Sequence, residues 1–134
     1  MTIVVVGDLM VDVVAALPGP LAHGSDTPAR ITHVQGGSGA NVAAWLAQAG
    51  ADVAFAGRAG TDPLGDAAVA ALAGVTLAVE RDPERPTGTC IVLVHPGGER
   101  TMIPDAGANA ALELHELPGG GHLHLTGYTL LRPG

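Results

Sequence analysis

Gly36-Gly37-Ser38-Gly39-Ala40-Asn41 is the stretch on which the fold turns. Directly after it the apolar period changes: Val42, Trp45, Leu46 and Ala49 recur at helical spacing, which predicts a helix over residues 40–49. Ser38 is the expected N-cap, and Gly50 sits where a left-handed C-terminal cap belongs. Three glycines ahead of a helix let the backbone approach a ligand closely, and the unpaired amides of the first turn point at polar groups. Asn41 adds a side chain that both donates and accepts. Such a loop suits a phosphate, suits neutral hydroxyls, or serves only tight strand-to-helix geometry; on these residues alone all three readings stand.

Working outward, Ile3 to Gly7 is a β-branched run of the kind buried on both faces of a sheet. Residues 13–16 and 30–34 read as short strands, separated by turns at Pro18-Gly19-Pro20 and Gly24-Ser25-Asp26. Downstream, residues 53–56 form a strand. A second helix follows, capped by Thr61 or Asp62 with Pro63 in its first turn; Leu64, Ala68, Ala71 and Leu72 are its stripe and Gly74 its end. With a further strand at 75–79, this alternation predicts a parallel sheet built through right-handed crossovers. Residues 90–94 and 101–103 flank Pro96-Gly97-Gly98 as a β-hairpin. A short helical stretch is expected over 110–116, then the Gly119-Gly120-Gly121 break and a returning core strand at 123–125, with no closing helix after it.

Composition narrows the class. The 134 residues are 47% hydrophobic and 14% charged, with 20 glycines but a single Trp, Tyr and Phe, so the core is built from alanine, valine, leucine and isoleucine in tight helix-on-sheet packing. A collagen-like repeat, a disulfide scaffold and a disordered chain are excluded, since Cys90 is the only cysteine and the apolar content is that of a globular domain. A net charge of −7 repels nucleic acid and anionic membranes, and no apolar run approaches the roughly 20 residues of a membrane span. With no positive leader, a cytoplasmic protein without nucleic-acid or membrane partners is expected.

Two familiar glycine motifs do not fit. A dinucleotide fingerprint should follow the first strand, where Gly7 is instead followed by Asp8-Leu9-Met10; a Walker loop needs a lysine that Gly36 to Asn41 lacks. His122 and His124, one apart on an expected strand, share a face and with His115 would be a metal candidate, but no Cys or carboxylate completes the set, so no metal site is assigned. Cys90 lies in an apolar run and reads as a core residue; Asp62 and Asp66 read as helix-cap and dipole partners.

The spacing of Gly36, Gly37, Gly39, Asn41, Ala43, Gly50 and Gly60 resembles the N-terminal signature of the ribokinase-like (PfkB) carbohydrate kinases. Gly7 and Asp12, Gly60-Thr61-Asp62 with Gly65, Pro86-Thr87-Gly88, and the segment from Gly107 to Leu112 are similar to that family too. The resemblance implies an α/β fold: a parallel sheet with flanking helices and a small β-sheet lid from residues 13–34 and 87–104. It implies ATP-dependent phosphorylation of a sugar hydroxyl, with the whole of 1–134 being the N-terminal, acceptor-binding part of the kinase. Asp12 would accept hydrogen bonds from two sugar hydroxyls, framed by Gly36, Gly37, Ser38 and Asn41. The lid would close over the sugar, exclude water and in several members also form the dimer interface, so a homodimer through the lid is expected.

Departures shape the substrate expectation. Met10 stands where ribokinases proper have asparagine, Ser38 where they have lysine, and Gly127-Tyr128 where many ribose-using relatives have a glutamate, so Met10 and Tyr128 are candidate acceptor contacts and ribose is not implied. Arg100 on the hairpin is a candidate contact for a carboxylate-bearing sugar, with a solvated arginine as the plainer account. The family's Gly-Ala-Gly-Asp motif, whose aspartate takes the hydroxyl proton, is absent; Ala106-Gly107-Ala108-Asn109 is similar but carries an amide that cannot act as base. The base aspartate, the ATP site and the Mg²⁺-linked acidic motif are expected beyond Gly134, so no catalytic residue is assigned in this chain and none of these cofactors is expected to bind it alone. A non-catalytic sugar-binding or dimerising homologue, and a nucleoside kinase, are the alternative readings.

Overall fold

The β-branched N-terminal run forms β1 (Ile3–Val6), an inner strand of a parallel sheet in the computed structural model, which describes residues 1–131. Chain order gives β2 (Met10–Ala16), β3 (Arg30–Gly36), helix α1 (Ser38–Gln48), β4 (Val53–Gly60), helix α2 (Pro63–Ala70) and β5 (Thr76–Asp82). Then come β6 (Gly88–Val94), β7 (Arg100–Asp105), a 3₁₀ turn (Gly107–Ala111), β8 (His122–Leu125) and α3 (Gly127–Leu131). The parallel sheet has the order β5-β4-β1-β8, and a second, mixed sheet the order β3-β2-β6-β7.

Alternation along the parallel strands sorts the core into two layers. Val5, Val53 and Phe55 face Ala40 and Ala43 of α1, Ala68 of α2 and Leu72 beyond it. Val4, Val6, Ala54 and Ala56 face the other way, toward Ala78 and Leu112. Phe55 is the largest fully buried side chain, and the helices meet the sheet mainly through alanine, as the composition requires.

Glycine sets how closely α1 approaches. A Cβ on Gly39 would lie 2.6 Å from the Gly7 Cα, and one on Gly7 would lie 2.9 Å from the Gly39 Cα, so helix and strand end meet backbone to backbone. Gly37 takes the N-cap with φ 94°, and the Asp8 carbonyl accepts from Ala40 N–H at 3.1 Å. The expected cap is therefore corrected: Ser38 is the first helical residue and makes no capping bond, while the Asp8 backbone carbonyl serves the orphan amide of Ala40. Alanine in place of Gly39 should cost about 2–3 kcal/mol by overpacking, although Gly→Ala inside a helix is ordinarily favourable by about 1 kcal/mol. Urea unfolding decides the sign: a lower midpoint at constant slope is expected, and a higher one would mean that the helix can shift off the strand.

Asp62 caps α2 and ties it to the mixed sheet. Its carboxylate accepts from Gly65 N–H (2.8 Å), Thr87 N–H (2.7 Å) and the Thr87 hydroxyl (2.7 Å). Burial would raise its pKa, but the Thr87 and Gly65 hydrogen bonds outweigh that and hold the carboxyl below its ordinary range. Asp66 pairs with Arg81 at 2.7 Å.

In the mixed sheet β2 pairs antiparallel with β3 and parallel with β6, which pairs antiparallel with β7. The expected hairpin at Pro96-Gly97-Gly98 is present, closed by His95 N–H to Glu99 O at 2.9 Å with Gly98 at φ 84°.

Several expected boundaries move. β4 and β5 run past the apolar residues because Arg58 bridges Glu80 (2.7 Å) and buried Asp82 (3.0 Å) across the ladder. The helical stretch expected over 110–116 is a 3₁₀ turn ending at Ala111; Leu112 is extended at ψ 117°. The absence of a closing helix is also corrected: α3 follows β8, with the Thr126 and Thr129 hydroxyls hydrogen-bonded at 3.0 Å across its first turn.

Candidate functional site

The three residues Gly7-Asp8-Leu9 carry the chain from the parallel sheet into the mixed one, at the point where α1 begins. A cleft of about 420 Å³ opens there, between the N-terminal turn of α1 and one face of the mixed sheet. Period-two alternation puts Met10 and Asp12 on that face together. Ladder register sets Val34, Cys90 and Pro104 in one row with Asp12.

Asp12, Asp8, Ser38 and Asn41 line the polar side of the cleft, with Gly37 between them. Burial pushes the Asp12 carboxyl above its ordinary pKa of 3.8. Gly36 is packed against that carboxylate so closely that a Cβ would overlap it, which is why this position takes glycine. Asn41 Oδ1 accepts from Gln35 Nε2 at 3.3 Å. Ser38 Oγ is buried with no hydrogen-bond partner among the described residues, an acceptor and donor left for a bound group.

The opposite wall is apolar: Met10, Cys90, Met102, Pro104 and Ala106, with Tyr128 of α3 at the rim. Cys90 is buried, and burial first, then the Asp12 charge, pushes its thiol pKa up, so it is a neutral apolar surface and not a thiolate. Tyr128 also lines an adjoining groove of about 530 Å³ with Ser38 and Thr126.

The structure thus brings Met10, Asp12, Gly37, Ser38, Asn41 and Tyr128 to one cleft, with Gly36 behind Asp12. Arg100 lies elsewhere: it opens β7 opposite Val94, exposed, and does not line the cleft. Asp8, Cys90, Met102 and Pro104 were not singled out from sequence as lining residues; the cross-strand register that gathers the last three is invisible until the strands pair.

Among the described residues no Lys, Arg or His lines the cleft, while two carboxylates do. A phosphate would meet like charge there, whereas hydroxyl donors meet acceptors, so of the three readings of the glycine loop the chemistry favours neutral hydroxyls. The residues present do not fit a nucleotide triphosphate at this site.

Asn109 is buried in the core. Its Oδ1 accepts from Leu9 N–H (3.0 Å) while Nδ2 donates to the Leu9 carbonyl (2.9 Å) and the Ala106 carbonyl (3.0 Å). The motif-like Ala106-Gly107-Ala108-Asn109 therefore clamps the strand crossover. His122 and His124 stand beside Ile3 and Val5 on β8, and His115 pairs with exposed Glu113 at 3.3 Å. Among the described residues no three His, Cys, Asp or Glu side chains gather as a metal set, and no helix is long and apolar enough to cross a membrane.

A model of the family described as pfkB family carbohydrate kinase matches residues 1–131. No curated protein sequence matches. Among solved structures, a ribokinase from Giardia lamblia is 26% identical with a TM-score of 0.78, over 84% of this chain and 35% of that one. An Arabidopsis thaliana ribokinase, solved with ribose and ATP, is 32% identical with a TM-score of 0.70, over 80% of this chain and 36% of that one. A Xylella fastidiosa fructokinase, solved with ATP, is 28% identical with a TM-score of 0.67, over 83% and 35%. This chain spans little more than a third of the length of those relatives.

Proposed function

Because the chain belongs to the pfkB family of carbohydrate kinases, we propose that it carries the acceptor-binding half of an ATP-dependent kinase for a sugar or sugar-like alcohol. The observation that carries this reading is the convergence of Asp12, Ser38 and Asn41 on one cleft that no cationic side chain lines among the described residues. Asp12 accepts hydrogen bonds from two neighbouring hydroxyls; Ser38 and Asn41 orient the same ring; Gly37 lets it approach the backbone, and Gly36 leaves room for the Asp12 carboxylate behind it. The mixed sheet is the lid, its cleft face closing over the acceptor and excluding water. Its opposite face leaves Ile31, Ile91 and Ile103 about half exposed, and two copies pair through it.

ATP and Mg²⁺ supply and activate the phosphoryl group. The cleft's carboxylates repel a triphosphate, so ATP with its Mg²⁺ is held by residues other than the acceptor set, and the base that takes the hydroxyl proton lies outside that set too.

The test is a panel of pentoses, hexoses, sugar acids and nucleosides, read by thermal shift and calorimetry without nucleotide. At least one member should raise Tm in a dose-dependent way, as any ligand that binds only the folded state must. A panel without effect would remove the acceptor-site reading. A ligand that stabilises the protein without phosphorylation when ATP and Mg²⁺ are added would favour a binding module over an enzyme.

A further inference from the structure

Resting on the reading of the mixed sheet as a lid, we infer that Thr87 and Asp62 form the latch that sets how far this lid opens. They are positioning residues for the acceptor cleft, although neither is among the described residues that line it.

Among the described residues the mixed sheet joins the rest of the fold through residues 7–9, 37, 83–87 and 106, so its placement depends on how those joints are held. Asn109 bolts two of them, at Leu9 and Ala106, from inside the core. The joint before β6 is held by Asp62 instead. Thr87 is buried there; its hydroxyl donates to Asp62 (2.7 Å) and accepts from Gly60 N–H (3.0 Å), and its own N–H donates to the second Asp62 oxygen (2.7 Å). Glycine shapes the seat: a Cβ on Gly60 would lie 2.7 Å from the Thr87 nitrogen, and one on Gly65 2.7 Å from its hydroxyl oxygen.

Two features make this joint the one that opens. Asn109 is buried, so its release would strand polar groups in a dry core, whereas Asp62 is only half-buried and reaches water. When Thr87 leaves, the Asp62 carboxylate keeps Gly65 N–H as the cap of α2 and takes solvent in place of the other two bonds. Thr87 also leads directly into β6, where Gly88 is the ladder partner of Met10 and Cys90 that of Asp12. Gly88 sits so close to Met10 that a Cβ would lie 3.2 Å from the Met10 Cγ. Strands tied by a ladder move together, so a shift at Thr87 carries Met10, Cys90 and Asp12 away from α1.

Cys90 supplies the readout. It is the only cysteine, lines the cleft from the lid side and is 2% exposed, so N-ethylmaleimide reaches it when the lid lifts or the whole fold opens. The two routes differ in urea dependence, which is shallow for local opening and full for global unfolding. Labelling rates are compared for wild type, Thr87→Val, Thr87→Ser and Asp62→Asn, each divided by the rate of the same variant unfolded. Valine keeps the shape of threonine without its hydroxyl, and asparagine keeps an acceptor for the cap of α2. Thr87→Val and Asp62→Asn should label at least about tenfold faster than wild type with a shallow urea slope, while Thr87→Ser stays within about twofold. A wild-type rate in either of the first two, a rise that follows the full global slope, or a serine variant as fast as the valine one would overturn the latch. Should Thr87→Val not fold, Asp62→Asn decides alone. No sugar enters the measurement, so a failed latch leaves the acceptor-site reading standing, and a sugar panel without effect leaves the labelling result standing.

Discussion

Asp12→Asn is expected to weaken acceptor binding by roughly a hundredfold while leaving the unliganded protein as stable as wild type, or slightly more so. A carboxylate accepting two hydroxyl protons makes charge-assisted hydrogen bonds of about 1.5–3 kcal/mol each. The amide keeps one acceptor and turns an NH₂ toward a donor, so about 2.7 kcal/mol is lost, which is two decades in affinity. The stability effect has the other sign because burial raises the Asp12 pKa. A carboxyl whose folded pKa lies above its unfolded value binds protons more tightly in the folded state, so ionisation detracts from stability once pH rises past the unfolded pKa. Asparagine removes that cost. The same linkage gives a pH signature: the acceptor prefers the ionised form, so wild-type affinity falls by up to tenfold per pH unit as pH drops through the raised Asp12 pKa, and the variant shows no such fall. Calorimetric titration over pH, with a melting curve at each point, separates the effects. A variant that loses several degrees of Tm and retains its affinity would make Asp12 a structural residue.

How much of this was legible depends on whether the signal is local. The strand–helix alternation, Asp62 as a cap, Gly50 as a left-handed stop and the Pro96-Gly97-Gly98 turn all follow from backbone preferences within a few residues, and all appear in the structure, whereas α2 ends at Ala70, short of the Gly74 expected to close it. The N-cap falls on Gly37, one position before Ser38, because the Ala40 amide is served by the carbonyl of Asp8, thirty residues before Ser38 in the chain. The stretch after Ala106 carries alanines at helical spacing, yet Asn109 is spent on Leu9, a hundred residues off, and the turn stops. α3 carries a local signal in Thr126 and Thr129, whose hydroxyls meet across its first turn. The candidate site shows the same division. Gly36 to Asn41 announces itself as a motif, and Asp12 follows from family spacing. The apolar wall is made by register between β2, β6 and β7, and no local pattern assigns a strand its neighbour.

Asn109→Ala is expected to destabilise the protein by about 3–4 kcal/mol, and Asn109→Asp by at least as much near neutral pH. Leu9 is fully buried, so its N–H and C=O have no access to water, and the Asn109 amide bonds both. Removing that side chain orphans a buried donor and a buried acceptor, each costing about 1–3 kcal/mol, in a core where a cavity adds to the loss. Aspartate keeps the acceptor for Leu9 N–H but turns a carboxylate oxygen, in place of the amide nitrogen, toward the Leu9 and Ala106 carbonyls. That repulsion and desolvation raise the pKa of the introduced acid, so its protonated form, able to donate to a carbonyl, restores stability as pH falls. The melting temperature of Asn109→Asp relative to wild type should therefore climb between about pH 7 and pH 5, while that of Asn109→Ala should not. The two variants also separate a clamp from a catalytic position. An acid that completed a Gly-Ala-Gly-Asp base would add phosphoryl-transfer activity with little change in folding, whereas the clamp loses folding and leaves no activity to gain. A wild-type Tm for Asn109→Asp at pH 7 would refute the clamp.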